Sequence, residues 1–179
     1  MMLDNNLTKD NAGLLYTVTG DGKGKTTSAL GTALRALGRG WNIAILQFIK
    51  NDMPTGERMF FTKYFPDVIF ESYGLGRNFA VGDHKAAVRK GWERATELLK
   101  DFDGQLLVLD ELNIALNKGL LDVDQVISDL QGRQKSLNVI VTGRYACDKL
   151  RAVSDLVSEI QAVKHPFEQG IVAREGLEY

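Results

Sequence analysis

The chain has 179 residues, 22 basic against 23 acidic side chains and a formal net charge of -1. That near-balance excludes the broad positive field of a nucleic-acid binder. The single cysteine, Cys147, excludes an internal disulfide framework or a cysteine-rich zinc site, and no apolar run approaches the roughly 20 residues that span a bilayer.

The polar segment 1–12, "MMLDNNLTKDNA", has no signal-peptide core and reads as a mobile N-terminal arm. Residues 13–179 then read as one domain, soluble and cytoplasmic, large enough to bury a core without staples. In chain order, short and often continuous apolar runs predict strands at 14–19 (LLYTVT), 43–49 (IAILQFI), 68–73 (VIFESY), 106–110 (LLVLD), 138–143 (NVIVTG) and 156–163 (LVSEIQAV). Continuous runs of this kind are how strands buried on both faces read. Between them, Ala29, Leu30, Ala33, Leu34 and Leu37 form one helical stripe, and Val88, Trp92, Ala95, Leu99 and Phe102 form a second. A third, Val123, Val126, Ile127 and Leu130, follows Asp122 as N-cap. Alternating strands and helices predict an α/β fold, a mainly parallel sheet with helices on both faces, whose ligands sit at the carboxyl ends of the strands.

At one such end, between the first strand and the first helix, stands "TGDGKGKTT", Thr19–Thr27. Glycines free backbone N–H groups to converge on phosphate oxygens, the helix N-terminus adds partial positive charge, Lys25 adds a full charge, and Thr26 is placed to offer a hydroxyl to magnesium. The usual P-loop has four residues between its first glycine and the Gly-Lys pair; here there are three, Asp21, Gly22 and Lys23. The strand "LLVLDE" ends in Asp110 and Glu111, as the magnesium-side strand of P-loop proteins does. Together these motifs specify a nucleoside triphosphate with a divalent ion. They leave the reaction open, because Glu57, Glu111 and His165 are each arguable as a proton acceptor and none is fixed by spacing. Trp92 reads as core, His84 as a solvated residue near a helix start, and Cys147 as structural.

"GDGKGKTTSALGTALRALGRG", "ILQFIKND", "GERMFF", "LLVLDELN", "VIVTGR" and the tail "VSEIQAVKHPFEQGIVAREGLEY" resemble, in order and over about residues 13–179, the P-loop class of ATP:corrinoid adenosyltransferases. The resemblance implies a three-layer P-loop NTPase (RecA-like) fold. It implies transfer of the 5′-deoxyadenosyl group of ATP to the Co(I) centre of a corrinoid with release of triphosphate, in adenosylcobalamin synthesis or salvage. The family's loop is also a residue short and is understood to bind ATP reversed along it, which suits a triphosphate that leaves as one unit.

By position, the resemblance implies Gly20, Asp21, Gly22, Lys23, Gly24, Lys25, Thr26 and Thr27 for triphosphate, Arg35 for nucleotide contact, and Lys50 and Glu57 near the same cleft. Thr26 and Glu111, with Asp110 as a second carboxylate, are implied for Mg2+ or Mn2+; Lys25, Thr26 and Glu111 are the expected catalytic groups. Cob(I)alamin or a corrinoid precursor is the implied second substrate, with a homodimer and a corrinoid reductase as implied partners. The alternatives are a nucleoside or small-molecule kinase on the same fold, or a non-catalytic ATP-binding module. Three departures stand out: Asp21 where many relatives have Asn, Leu75 and Arg77 about where many carry a Phe and a Trp that help displace the lower cobalt ligand, and a short leading arm. Tyr73 or Phe79 is the expected replacement for those aromatics.

Overall fold

Period-two alternation sorts the strand side chains onto two faces, and each face is covered by helices. The computed structural model describes residues 12–178, so the expectation for the arm lies, apart from Ala12, outside the described residues. In chain order the elements are β1 (Leu15–Thr19), α1 (Lys25–Leu37), β2 (Ile43–Gln47), α2 (Gly56–Tyr64), β3 (Ile69–Ser72), α3 (His84–Asp101), β4 (Leu106–Asp110), α4 (Leu112–Asn117), α5 (Val123–Gln131), β5 (Asn138–Thr142), α6 (Asp148–Val153) and β6 (Leu156–Glu159). The strands form one sheet in the order β3-β2-β4-β5-β1-β6, with every pair parallel.

On one face Leu15, Ala44, Leu46, Leu107, Leu109, Val139 and Val141 pack against Val88, Trp92 and Leu99 of α3 and against buried side chains of α4, α5 and α6. On the other, Val18, Ile43, Ile45, Leu106, Val108 and Ile140 meet Ala29, Ala33 and Ala36 of α1 and Phe61 of α2. Each fully buried Leu, Ile or Val contributes about 1.5–3 kcal/mol relative to exposure, so the three-layer packing follows from the strand pattern.

The expected α1 stripe holds at four of its five positions, with Leu30 and Leu37 packed against the same cluster, and fails at one. Ala29 and Ala33 are buried, but Leu34 is 50% exposed and Ala36 takes the inner position. Small residues along the contact line let the helix lie close to the sheet, which turns the larger Leu34 out to the flank. The sixth strand is a correction too: β6 spans Leu156–Glu159, ends before the predicted 163, and is exposed at all four positions because it is an outer strand of the sheet. β2 likewise ends at Gln47, although Phe48 and Ile49 remain buried. Asp122 caps α5 as predicted, its Oδ1 accepting from Gln125 N at 2.9 Å. Trp92 is core, with Nε1 donating to Asp129 Oδ2 at 3.0 Å, and Cys147 packs against the same core.

The strand order places the site. Because β5 lies between β1 and β4, and β2 lies on the far side of β4, the carboxyl ends of four adjacent strands bring Thr19, Thr142, Asp110 and Gln47 into one row. The loop after β1 opens directly onto that row.

Candidate active site

Backbone geometry makes the cradle. Gly20 and Gly24 hold φ of 99° and 116°, a region that side chains disfavour. Gly22 N donates to Ile160 O at 2.8 Å, so the segment after β6 seats the loop. A Cβ on Gly20 would lie 2.3 Å from Ile160 O, and one on Gly22 2.6 Å from Gln161 O. Both glycines are therefore required by a close backbone approach. α1 then starts at Lys25 with no side-chain cap and no acid in its first turn, which leaves its N–H groups and positive end for an anion.

Lys25 Nζ reaches back across the loop to Gly22 O at 2.5 Å. Burial, and next the Arg144 guanidinium, hold this ammonium below its ordinary value against the opposing pull of Asp21 and Glu111; Arg77 pushes the same way as Arg144. Three cations thus converge on the loop. Arg144, in the segment after β5, also donates Nη2 to Asp21 O at 2.9 Å, and its Nε lies 3.7 Å from Asp21 Oδ1.

Asp110 is fully buried and fully subscribed. Its Oδ1 accepts from the hydroxyls of Thr26 and Thr142, both at 2.7 Å, and its Oδ2 faces Gln47 Nε2 at 3.1 Å and Lys50 Nζ at 3.3 Å. Lys50 also pairs with Glu57 Oε1 at 2.9 Å. Burial alone would pull the Lys50 ammonium down, but Asp110, Glu57 and Glu111 together outweigh it and hold the group above its ordinary value. Asp110 therefore acts as a hub that fixes Thr26, and donating a proton to Asp110 leaves the Thr26 hydroxyl lone pairs free.

Glu111 is different. It sits at φ 61°, rare for a residue with a side chain, and its N–H donates to Thr142 Oγ1 at 2.9 Å. Its Oε1 lies 3.4 Å from Arg77 Nη2, while the buried Oε2 has no partner. Burial, and then the neighbouring Asp110 charge, push its carboxyl above the ordinary carboxylate range. An orphaned acidic oxygen, on the residue next to the Asp110 that holds the Thr26 hydroxyl, fits a hard divalent cation. No group of three or more His, Cys, Asp or Glu is present among the described residues, so such an ion would take most of its ligands from phosphate and water, the habit of magnesium.

The structure brings Gly20, Gly22, Gly24, Lys25, Thr26, Lys50, Glu57, Asp110 and Glu111 together. Asp21 and Thr27 stand exposed at the loop's rim. Lys23 turns outward to the C-terminal segment, donating to Leu177 O and, at 2.6 Å, pairing with Glu178. Arg35 is exposed in the last turn of α1, ten residues from Lys25 and so about 15 Å along the axis, away from the cradle.

Sequence reasoning missed Gln47, Thr142 and Arg144; "VIVTGR" holds two of them, but only the strand order reveals that they face the loop. At the Gly74–Phe79 loop, Tyr73 Oη donates to Glu71 Oε2 at 2.6 Å and Phe79 packs against the core and His84, with ring centroids 4.7 Å apart, so both rings are engaged within the protein. His84, expected in solvent, is buried, with Nε2 3.0 Å from Asn78 O. His165 accepts from Phe167 N at 3.2 Å as the cap of a short 3-10 turn, Pro166–Gln169.

Comparison with solved structures finds the same α/β fold in distant proteins. The flagellar accessory protein FlaH of Methanocaldococcus jannaschii superposes with a TM-score of 0.57 over 83% of this chain and 71% of its own, at 9% identity. A KaiC-like protein of Pyrococcus horikoshii gives 0.54 over 86% and 74%, at 16% identity. Sequence similarity is far more specific. The family model "ATP:corrinoid adenosyltransferase BtuR/CobO/CobP" matches residues 11–179. A corrinoid adenosyltransferase of Pseudomonas aeruginosa is 41% identical, with 96% of this chain and 86% of the relative aligned; one of Salmonella typhimurium is 36% identical over 96% and 88%. With a short P-loop, a carboxylate-ended β4 and a family match through nearly its whole length, this chain belongs to the ATP:corrinoid adenosyltransferase family.

Proposed function

We infer that the protein transfers the 5′-deoxyadenosyl group of ATP to the Co(I) centre of a corrinoid and releases triphosphate. The observation that carries this reading is the family match across residues 11–179, which takes in the short loop and the distinctive tail together. In the reaction the Co(I) electron pair attacks C5′, a Co–C bond forms, the C5′–O bond breaks, and the bonding pair departs on triphosphate. Cobalt rises formally from +1 to +3, and no proton is moved. That balance accounts for a site with no committed general base.

The chain's own groups are then assigned to holding and neutralising a leaving group. We assign the amides of Gly20–Thr27, the α1 N-terminus and Lys25 to the triphosphate. Asp110, held by Thr142, Gln47 and Lys50, orients Thr26; Glu57 holds Lys50. Thr26 and Glu111 would hold magnesium, which when bound supplies positive charge to the phosphates. Arg35 and Lys23 stand further out, and a nucleotide role for them requires that ATP extend beyond the cradle or that the tail release Lys23. The same family likeness supports a single-domain, cytoplasmic homodimer that receives its corrinoid reduced by a separate reductase. Among the described residues no helix is long and apolar enough to cross a membrane.

The test is an anaerobic reaction with ATP, magnesium and chemically reduced cob(I)alamin. A light-sensitive adenosylated corrinoid formed with equimolar triphosphate is expected. ADP as the nucleotide product, with an unchanged corrinoid spectrum, would replace this reading with that of a kinase.

A further inference from the structure

The segment between β3 and α3 is clamped above the site. Gly74 N donates to Lys50 O at 3.1 Å and Gly76 N to Ile49 O at 2.9 Å, while His84 Nε2 lies 3.0 Å from Asn78 O. From this anchored loop Arg77 projects with its side chain 82% exposed, yet its guanidinium returns to within 3.4 Å of Glu111 Oε1. It also repels the Lys25 ammonium, as Arg144 does. Lys25, Arg77 and Arg144 outnumber the two carboxylates set against them, Asp21 and Glu111, and a polyphosphate would supply the remaining counter-charge. A divalent cation on the partnerless Oε2 would neutralise the charge that Glu111 offers Arg77 through Oε1, and so weaken this already long contact.

We propose that Arg77 is a triphosphate-binding residue, which exchanges Glu111 for phosphate oxygens when the metal–triphosphate complex binds and so ties the Gly74–Phe79 loop to occupancy of the cradle. The proposal rests on the adenosyltransferase reading for the nature of the anion. A guanidinium suits the role because its forked donors match phosphate oxygens and its charge is permanent. The consequence for catalysis is a third cation on the leaving group, delivered by the Gly74–Phe79 loop.

The test uses inorganic triphosphate with magnesium as probe, read by calorimetry on wild type, Arg77→Gln, Arg77→Lys and Lys25→Ala, together with hydrogen exchange at residues 74–79. The expected result is an affinity about tenfold or more weaker in Arg77→Gln, partly restored in Arg77→Lys, with loop protection on binding seen in wild type and lost in Arg77→Gln. The exposed position makes both Arg77 variants fold as wild type, which a thermal melt checks. Unchanged affinity and unchanged loop exchange in Arg77→Gln, with Lys25→Ala still impaired, would overturn the Arg77 assignment alone. Tighter binding in Arg77→Gln would also overturn it, by making Arg77 a competitor of the metal. No binding by wild type, or none lost in Lys25→Ala, would instead remove the triphosphate-cradle reading beneath it.

Discussion

Thr142→Val isolates the hydrogen-bond hub that couples β5 to the metal-side carboxylates. Thr142 is fully buried, accepts from Glu111 N at 2.9 Å and donates to Asp110 Oδ1 at 2.7 Å. Valine keeps the shape and removes both bonds, so a buried N–H is stranded at a cost of about 1–3 kcal/mol, and a bond to a charged group worth roughly 1.5–3 kcal/mol is lost. Asp110 Oδ1 retains its bond from Thr26, which softens the second loss. The net destabilisation should be about 3 kcal/mol, or on the order of 6–12 °C in melting temperature for a chain of this size. Thr142→Ser, which keeps the hydroxyl, should lose much less. The assay is a urea melt alongside initial rates of corrinoid adenosylation, where valine should also lower the rate at saturating ATP, because Asp110 and Glu111 lose a shared anchor. A valine variant as stable as wild type would refute the hub.

Glu111→Gln should stabilise the metal-free protein at neutral pH while abolishing magnesium-dependent transfer. The wild-type carboxyl is held above its ordinary value, so its ionisation costs stability as pH rises through and above the ordinary carboxylate range. The gain in melting temperature should therefore vanish in acid below that range; a gain that persists there would contradict the cause given. Lys25→Ala should reduce transfer by at least about a hundredfold with little change in the melting curve, since the side chain faces the loop and not the core. Gly20→Ala should cost at least about 2 kcal/mol and weaken nucleotide binding, because the added methyl meets Ile160 O and the residue keeps a positive φ; denaturant melts and ATP titration check both.

Much of the fold was legible wherever one local signal sufficed. β4 matches its predicted bounds because an apolar run stops at Asp110, and α5 starts where Asp122 announces it. The short helices α2, α4 and α6 were not predicted: α4 and α6, six residues each, are too short to show a helical period, and α2, without a side-chain cap, buries only Phe61; tertiary packing of Phe61, Leu112 or Leu150 fixes them. β6 was overextended because its apolar residues do not reveal that it is an outer strand. At the site, the P-loop and Asp110–Glu111 were legible as spacing. The roles of Gln47, Thr142 and Arg144 were not, since these depend on β5 lying between β1 and β4. Nor was the Arg77–Glu111 contact, which joins an exposed loop to a buried acid 34 residues away.

The most direct test of the central claim is the fate of the oxygen that bridges C5′ and the α-phosphate. ATP labelled with heavy oxygen at that position, turned over anaerobically with cob(I)alamin and magnesium, should yield triphosphate carrying the whole label and an adenosyl group carrying none. Label retained on the nucleoside, in ADP or any other product, would mean that a P–O bond breaks instead and would contradict the account.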